Sequence, residues 1–346
     1  MAVLAIVTSS PPSVEGGHLV IARALEQAAR ESGHDAHLVV TPDCQFGRQA
    51  AAYLETFRLD VTRAVGRAVD QVISLRFPSY AVRHPAHVCW LNHTMREYYD
   101  LWPRFSAQLS PQGRLKERGK RALIRAVDRW LLTRNVRTVI AQSHTVQQRL
   151  REDLGVASDV LWPPPPQRAY RCDGYGNYIF AVSRLTALKR LDLLVRALAV
   201  PAAAGARAVI AGDGGDRSRL ESLISQLGLS DRVTLVGRIS EESLLDHLAK
   251  CRAVCFPPFG EDYGFVTAEA FASRKAVVTC SDSGGPTDLV RHGETGMVCD
   301  PTPDALATAI GQLANDSALA ERLGRAAARQ AEAMSWSTAV KRLLVV

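Results

Sequence analysis

The chain has 346 residues, 47% of them hydrophobic and 22% charged, with 24 Gly and 17 Pro. At about 150 residues per domain this length points to two domains with a core each, and the composition excludes a disordered, collagenous or coiled-coil chain. The formal net charge of +7 leaves room for an anionic partner such as a phosphorylated small molecule, a phospholipid surface or nucleic acid. No stretch of about 18 apolar residues suggests a membrane span, and the apolar start at 1–7 runs into Thr8-Ser9-Ser10-Pro11-Pro12 without a basic leader. The expected location is the cytoplasm, with peripheral contact at the inner face of the membrane as an option. Seven cysteines, Cys44, Cys89, Cys172, Cys251, Cys255, Cys280 and Cys299, are dispersed and form no Cys-x-x-Cys pair. They are expected to be reduced, mostly buried thiols.

In chain order, residues 3–7 read as a strand, 19–30 as a helix and 36–40 as a strand. Further strands are expected at 71–75, 87–91 and 138–141, with helical material between them. Within that material, segment 114–134 carries Arg114, Lys116, Arg118, Lys120, Arg121, Arg125, Arg129 and Arg134 against Glu117 and Asp128. Leu123, Val127, Trp130 and Leu131 fall at helical spacing, which predicts a basic helix with an apolar face packed on a sheet. The alternative for its basic face is an anionic lipid surface; nucleic acid is the weaker option.

Alternation stops at Leu161-Trp162-Pro163-Pro164-Pro165-Pro166, where four prolines supply no ladder donors and continue no helix. This sets the expected boundary between domains 1–166 and 167–346. Beyond it, strands are expected at 178–182, 208–211, 233–236, 253–256 and 276–279, and helices at 191–198, 218–227, 241–250 and 266–273. Two further helices fit 304–334, and Ser335-Trp336-Ser337 starts a last one. The fold class is α/β, two Rossmann-like doubly wound domains facing a central cleft. Periodicity alone leaves epimerases and periplasmic-type binding proteins open.

The chemistry concentrates in Phe259-Gly260-Glu261-Asp262-Tyr263-Gly264-Phe265-Val266-Thr267-Ala268-Glu269-Ala270. If a helix starts near Gly264, the amides of Phe265, Val266 and Thr267 form a positive helix end suited to a diphosphate. Glu269, one turn deeper, would accept two hydrogen bonds from a ribose diol. Glu261, ahead of those amides, would reach a sugar beyond the phosphate. The Glu-x7-Glu spacing of Glu261 and Glu269 resembles retaining GT-B glycosyltransferases of glycosyltransferase family 4 (glycosyl transferases group 1). So do Ser283-Gly284-Gly285-Pro286-Thr287-Asp288, Val182-Ser183-Arg184-Leu185 with Lys189 and Asp192, Ala211-Gly212-Asp213-Gly214, and Val236-Gly237-Arg238-Ile239. The resemblance is close over 178–300 and reaches the first half only in layout.

That resemblance implies residue roles. Arg184 and Lys189 match the pair on the donor diphosphate, Glu261 the carboxylate on the transferred sugar, and Glu269 the ribose ligand. Gly212 falls in the family's order, and Arg238 and Ile239 stand where backbone groups meet the base. Pro11-Pro12-Ser13-Val14-Glu15-Gly16-Gly17 resembles the glycine-rich loop near donor phosphate and acceptor, with Gly16 and Gly17 as candidates. His93 resembles the histidine near the anomeric centre, with His84, His87 and His144 as rivals. Trp90, Tyr98, Tyr99 and Trp102 offer aromatic faces, each of which singly suits core packing and together a sugar platform. Four departures stand out: Ser183 precedes Arg184 and Arg190 follows Lys189 where Gly is common, Ala272-Ser273-Arg274-Lys275-Ala276 lacks the usual Gly and Pro after the second Glu, and Asp288 replaces Glu.

The expected enzyme is a retaining glycosyltransferase using a nucleotide-diphosphate sugar and a glycan, lipid-linked or small-molecule acceptor. No Asp-x-Asp pair follows a strand, and Arg184 with Lys189 can supply a metal's electrostatic work, so no metal and no cofactor beyond the donor are expected. The competing readings are a nucleotide-sugar epimerase or hydrolase on the same fold, and a non-catalytic membrane or nucleic-acid binder using 114–134.

Overall fold

Short runs of β-branched and apolar residues, buried on both faces in the inner strands, build two parallel sheets whose crossover helices cover them. The computed structural model describes residues 1–10, 16–42 and 47–345. Two units result: Met1–Pro166 with Ser335–Val346, and Gln167–Met334. The proline run thus ends the first pass through unit one, and residues 335–346, expected in the second domain, belong to the first.

Unit one runs β1 (Val3–Ser10), α1 (Gly17–Glu31), β2 (Asp35–Pro42), α2 (Gln49–Arg58), α3 (Val61–Val65), β3 (Gln71–Ser74), β4 (His87–Leu91), α4 (Trp102–Ala107), α5 (Pro111–Trp130), β5 (Thr138–Ala141), α6 (His144–Arg149) and β6 (Asp159–Val160). Its strand order is β2-β1-β3-β4-β5-β6, parallel throughout. The two-residue β6 is too short to register as a periodic run. Unit two runs β7 (Tyr178–Val182), α7 (Leu191–Leu198), β8 (Arg207–Ala211), α8 (Arg217–Gln226), β9 (Val233–Gly237), α9 (Glu241–Lys250), β10 (Ala253–Cys255), α10 (Phe265–Ala272), β11 (Val277–Cys280), α11 (Gly285–Leu289), β12 (Gly296–Cys299), α12 (Pro303–Asn315) and α13 (Ser317–Glu332). Its order is β12-β11-β10-β7-β8-β9. The chain builds β8 and β9 on one side of β7, then crosses to β10, β11 and β12 on the other, so the order reverses between β7 and β10.

The last helix, α14 (Trp336–Leu343), packs on the first sheet through Trp336, Ala339, Val340 and Leu343, an i, i+3, i+4, i+7 stripe. Trp336 Nε1 donates to the Pro165 carbonyl at 2.9 Å, its ring meets Trp90 edge-on at 6.1 Å, and the Leu343 carbonyl accepts from Gln71 Nε2 at 2.6 Å. An apolar stripe declares that a helix packs, and leaves open against which sheet.

The basic helix is turned the opposite way from expectation. Leu123 is 66% exposed and Trp130 52% exposed, Val127 is half-buried, and only Leu131 is fully covered. The buried face instead carries Glu117, Ile124 and Asp128. Asp128 is wholly buried and accepts from three phenols: Tyr53, Tyr80 at 2.6 Å and Tyr99 at 2.5 Å. Tyr98 donates to Glu117 at 2.6 Å. Matching polar groups therefore overrode the apolar periodicity, and the helix ends at Trp130 in a π-helical turn over Leu131–Asn135. Trp90, Tyr98 and Tyr99 are core residues rather than a sugar platform, and Trp102 stacks beside Tyr98 at 6.4 Å. The described cysteines are unpaired thiols, with Cys89, Cys251, Cys255 and Cys280 buried, Cys172 and Cys299 half-buried, and Cys44 outside the described residues.

Candidate active site

Open parallel sheets gather ligands beyond the carboxyl ends of the strands flanking the order reversal, because the crossovers diverge there. In unit two those strands are β7 and β10, and the loops after them carry the sequence candidates. Lys189, in the loop after β7, reaches Glu261, in the loop after β10: Nζ donates to Oε2 at 2.5 Å, with Lys189 13% and Glu261 20% exposed. Lys189 also lies 5.3 Å from the centre of the Phe256 ring. Arg184 is exposed and forms no ion pair among the described residues.

Backbone contacts fix the Glu261 loop. Gly260 and Glu261 donate to the carbonyls of Asp282 and Ser283 at 2.9 and 2.7 Å, and Gly285 donates to the Glu261 carbonyl at 2.8 Å. Gly284 has φ +74, and a Cβ there would stand 2.4 Å from that carbonyl. Gly264 precedes α10 at φ +82, where a Cβ would meet the Phe256 ring at 2.8 Å and Pro286 at 3.0 Å. Both positions therefore demand glycine. Phe265 and Val266 form the first turn of α10, whose leading amides have no partner inside the helix and present its positive end.

Glu269, a turn further, is 7% exposed. Burial pushes its carboxyl up to about 7, against the pull of the Arg168 guanidinium. Arg168 Nη1 donates to Glu269 Oε1, the Tyr170 hydroxyl stands 3.5 Å from the same oxygen, and Arg168 Nε lies 2.9 Å from Glu241 Oε2. Arg168 and Tyr170 follow the proline run and matched no motif, so sequence reasoning missed them. Its only available signal was a cation in an otherwise uncharged stretch, 163–170.

The departures from pattern become intelligible here. Arg190, standing where Gly is common, keeps the left-handed backbone at φ 48, and so does Arg274 at φ 57. Arg190 also uses its side chain. A fork binds Asp282 at 2.8 and 2.6 Å, Nε donates to the Pro257 carbonyl at 2.8 Å, and Nη2 donates to the Pro258 carbonyl at 2.7 Å. The loops carrying Lys189, Glu261 and Gly284 are tied together by this one guanidinium.

Among the other candidates, Gly212 donates to the Gly237 carbonyl at 2.7 Å. Arg238 is 87% exposed and 3.6 Å from Asp213, and Ile239 is half-buried beside it. Gly16, Gly17 and His93 belong to unit one. Gly16 caps α1, Gly17 is its first residue, and the preceding loop 11–15 lies outside the described residues. His93 Nδ1 is 2.6 Å from the Thr94 carbonyl, just beyond β4. Of its rivals, His87 is wholly buried, bonded to Ser74 at 2.8 Å and pushed down to about 4 by burial, while both His84 ring nitrogens meet backbone carbonyls. His144 is exposed at the start of α6.

Comparison with known proteins bears on this arrangement. Residues 168–330 match the sequence model of the family described as Glycosyl transferases group 1. The chain is 34% identical over 201 residues to a D-inositol 3-phosphate glycosyltransferase of Streptomyces avermitilis, covering 55% of this chain and 40% of that protein. It is 33% identical over 197 residues to an exopolysaccharide phosphotransferase of Streptomyces coelicolor, covering 55% and 21%. The matched part thus spans well under half of either relative. Among solved structures, Anabaena HepE in complex with UDP and glucose superposes with a TM-score of 0.71 at 19% identity, covering 98% of this chain and 97% of that one. The fold is that of the GT-B glycosyltransferases.

Proposed function

From the premise that residues 168–330 belong to the glycosyl transferases group 1 family on a GT-B fold, we propose that this chain moves a sugar from a nucleotide-diphosphate sugar to an acceptor with retained anomeric configuration. The observation that carries the reading is the Lys189–Glu261 pair at the order reversal, beside the positive end of α10. In the proposed reaction Arg184 and Lys189 offset charge on the departing diphosphate, without a metal. Glu261 meets the transferred sugar, Glu269 the ribose, and the backbone at Arg238 and Ile239 the base. Gly16 and Gly17 serve the donor phosphate and the acceptor, His93 serves the anomeric centre, and in this reading 1–166 binds acceptor and 167–334 donor. UDP, bound in the HepE structure, is the first nucleotide to test. The acceptor is a glycan, a lipid-linked sugar or a small molecule.

A thermal-shift series with UDP, GDP and ADP tests the donor assignment, since a ligand at 100 times its dissociation constant stabilises by about 2.7 kcal/mol. Selective stabilisation by one nucleotide, lost in Arg184→Ala and Glu269→Ala, supports it; no shift with any of them, or one retained in both variants, sinks it.

Surface chemistry favours a membrane contact as well. No helix among the described residues is long and apolar enough to cross a membrane. Leu54 on α2 and Leu123 on α5, each half or more exposed, line a groove of about 390 Å³ with Tyr53, Ile124 and Val127, and Leu115 and Trp130 are also half or more exposed on α5. Of the helix cations, Lys120, Arg121 and Arg125 are engaged by Glu117, the Tyr98 carbonyl and Asp153. Lys116, Arg118, Arg129 and Arg134 are exposed on the same segment as Leu115, Leu123 and Trp130, the composition of a surface that seats on anionic lipid. Pelleting with phosphatidylglycerol vesicles that survives reversal of those four charges would refute this contact.

A further inference from the structure

Of the two carboxylates at this site, Glu261 lies near the surface and Glu269 is deeply buried, and their partners differ accordingly. A carboxylate in a low-dielectric setting takes up a proton unless a cation or several donors hold it ionised. Glu269 has one such cation, Arg168, whose side chain is itself 16% exposed and is anchored on its other edge by Glu241 at the start of α9. Both interactions of Arg168 and Tyr170 fall on Oε1, and Oε2 accepts no hydrogen bond among the described residues. The carboxylate is therefore held at one oxygen and left open at the other.

We infer that Arg168 is a positioning residue for the donor site, gripping Oε1 so that Glu269 stays ionised and offers Oε2 to the vicinal hydroxyls of a nucleoside diphosphate. The inference rests on the reading of Glu269 as the ribose ligand. The chemistry requires the ionised form because a diol brings two O–H donors, and a protonated carboxyl has lost acceptor capacity and carries a competing proton. Arg168, Tyr170 and Glu241 are the titratable groups acting on Glu269; α11 and α13, which also pack on α10, contribute none. Among the described residues Arg168 is thereby the one cation opposing burial, and the pH at which Glu269 gains its proton depends on it.

The test is calorimetric titration of the full chain with UDP and 2′-deoxy-UDP from pH 6 to 9, on wild type, Arg168→Gln, Arg168→Lys and Glu269→Gln. Arg168→Gln is expected to weaken UDP binding about 5-fold at pH 7 and less than 2-fold at pH 9, moving the midpoint of the affinity curve upward by about one pH unit. Arg168→Lys should keep the wild-type midpoint. The preference for UDP over its deoxy analogue should narrow in Arg168→Gln at pH 7 and return at pH 9. A uniform loss at every pH, or none, would overturn the inference, because a side chain that merely braces the fold shifts affinity without moving the midpoint. If Glu269→Gln binds UDP as wild type does across the range, or wild type binds no UDP, the ribose reading fails instead and the inference falls with it.

Discussion

Two buried carboxylates, one in each unit, share an upward-shifted titration and differ in everything else. Asp128 is sealed by three phenolic hydroxyls on both oxygens, and burial pushes it up to about 6. Glu269 is pushed up to about 7, yet it is met by a guanidinium on one oxygen and left open on the other. A displaced pKa therefore does not separate site from scaffold in this chain. Coverage does: neutral donors on both oxygens make a structural knot, whereas a cation on one oxygen leaves the other open to a ligand. Lys189–Glu261 belongs with the second type, 20% exposed at its carboxylate and set at the order reversal.

That distinction is broken most directly by substitutions that trade stability against activity. Glu261→Gln should lower the transfer rate about 100- to 1,000-fold with little change in unfolding midpoint; a large loss of stability in urea titration would place Glu261 with Asp128. Conversely, Asp128→Ala leaves three buried hydroxyls without their acceptor and should cost about 4 kcal/mol in the same titration. The pH dependence follows from direction. Asp128 ordinarily titrates near 3.8 and here near 6, so the folded chain holds its proton more tightly than the unfolded chain. The stability this contributes is complete below about pH 4 and lost as pH rises through 6. Asp128→Asn should thus gain on wild type by about 2 to 3 kcal/mol between pH 4 and 7, and parallel stability curves would contradict that. The smallest effect separates the two left-handed arginines. Arg274→Gly should stabilise by about 1 kcal/mol, whereas Arg190→Gly sacrifices the Asp282 fork and should gain nothing; chemical denaturation reads both.

The second unit was legible because its signals are local. The alternation of strands and helices over 178–279 needed only neighbours in sequence, and so did the Glu261 to Glu269 spacing that places both residues between β10 and the second turn of α10. Glycine positions such as Gly264 and Gly284 were legible too, since no other residue fits their backbone. The first unit resisted where a local pattern had two solutions. Leu123, Val127 and Trp130 form as good an apolar stripe as Ile124 and Leu131, and only three tyrosines arriving from separate segments decided for the face that carries Asp128.

By itself, then, the sequence determined the α/β class, the break after Pro166 and the residues that line the second sheet's carboxyl edge, and it carries the match of residues 168–330 to the glycosyl transferases group 1 model. Tertiary structure alone decided that 335–346 returns to the first unit, that the basic helix hides its acids, and that Glu269 meets an arginine 101 residues away while Arg190 meets an aspartate 92 away. Periodicity and motif spacing act over a few turns of chain. Desolvated charges choose partners by distance in space, and that choice is made only when the segments bearing them are packed together.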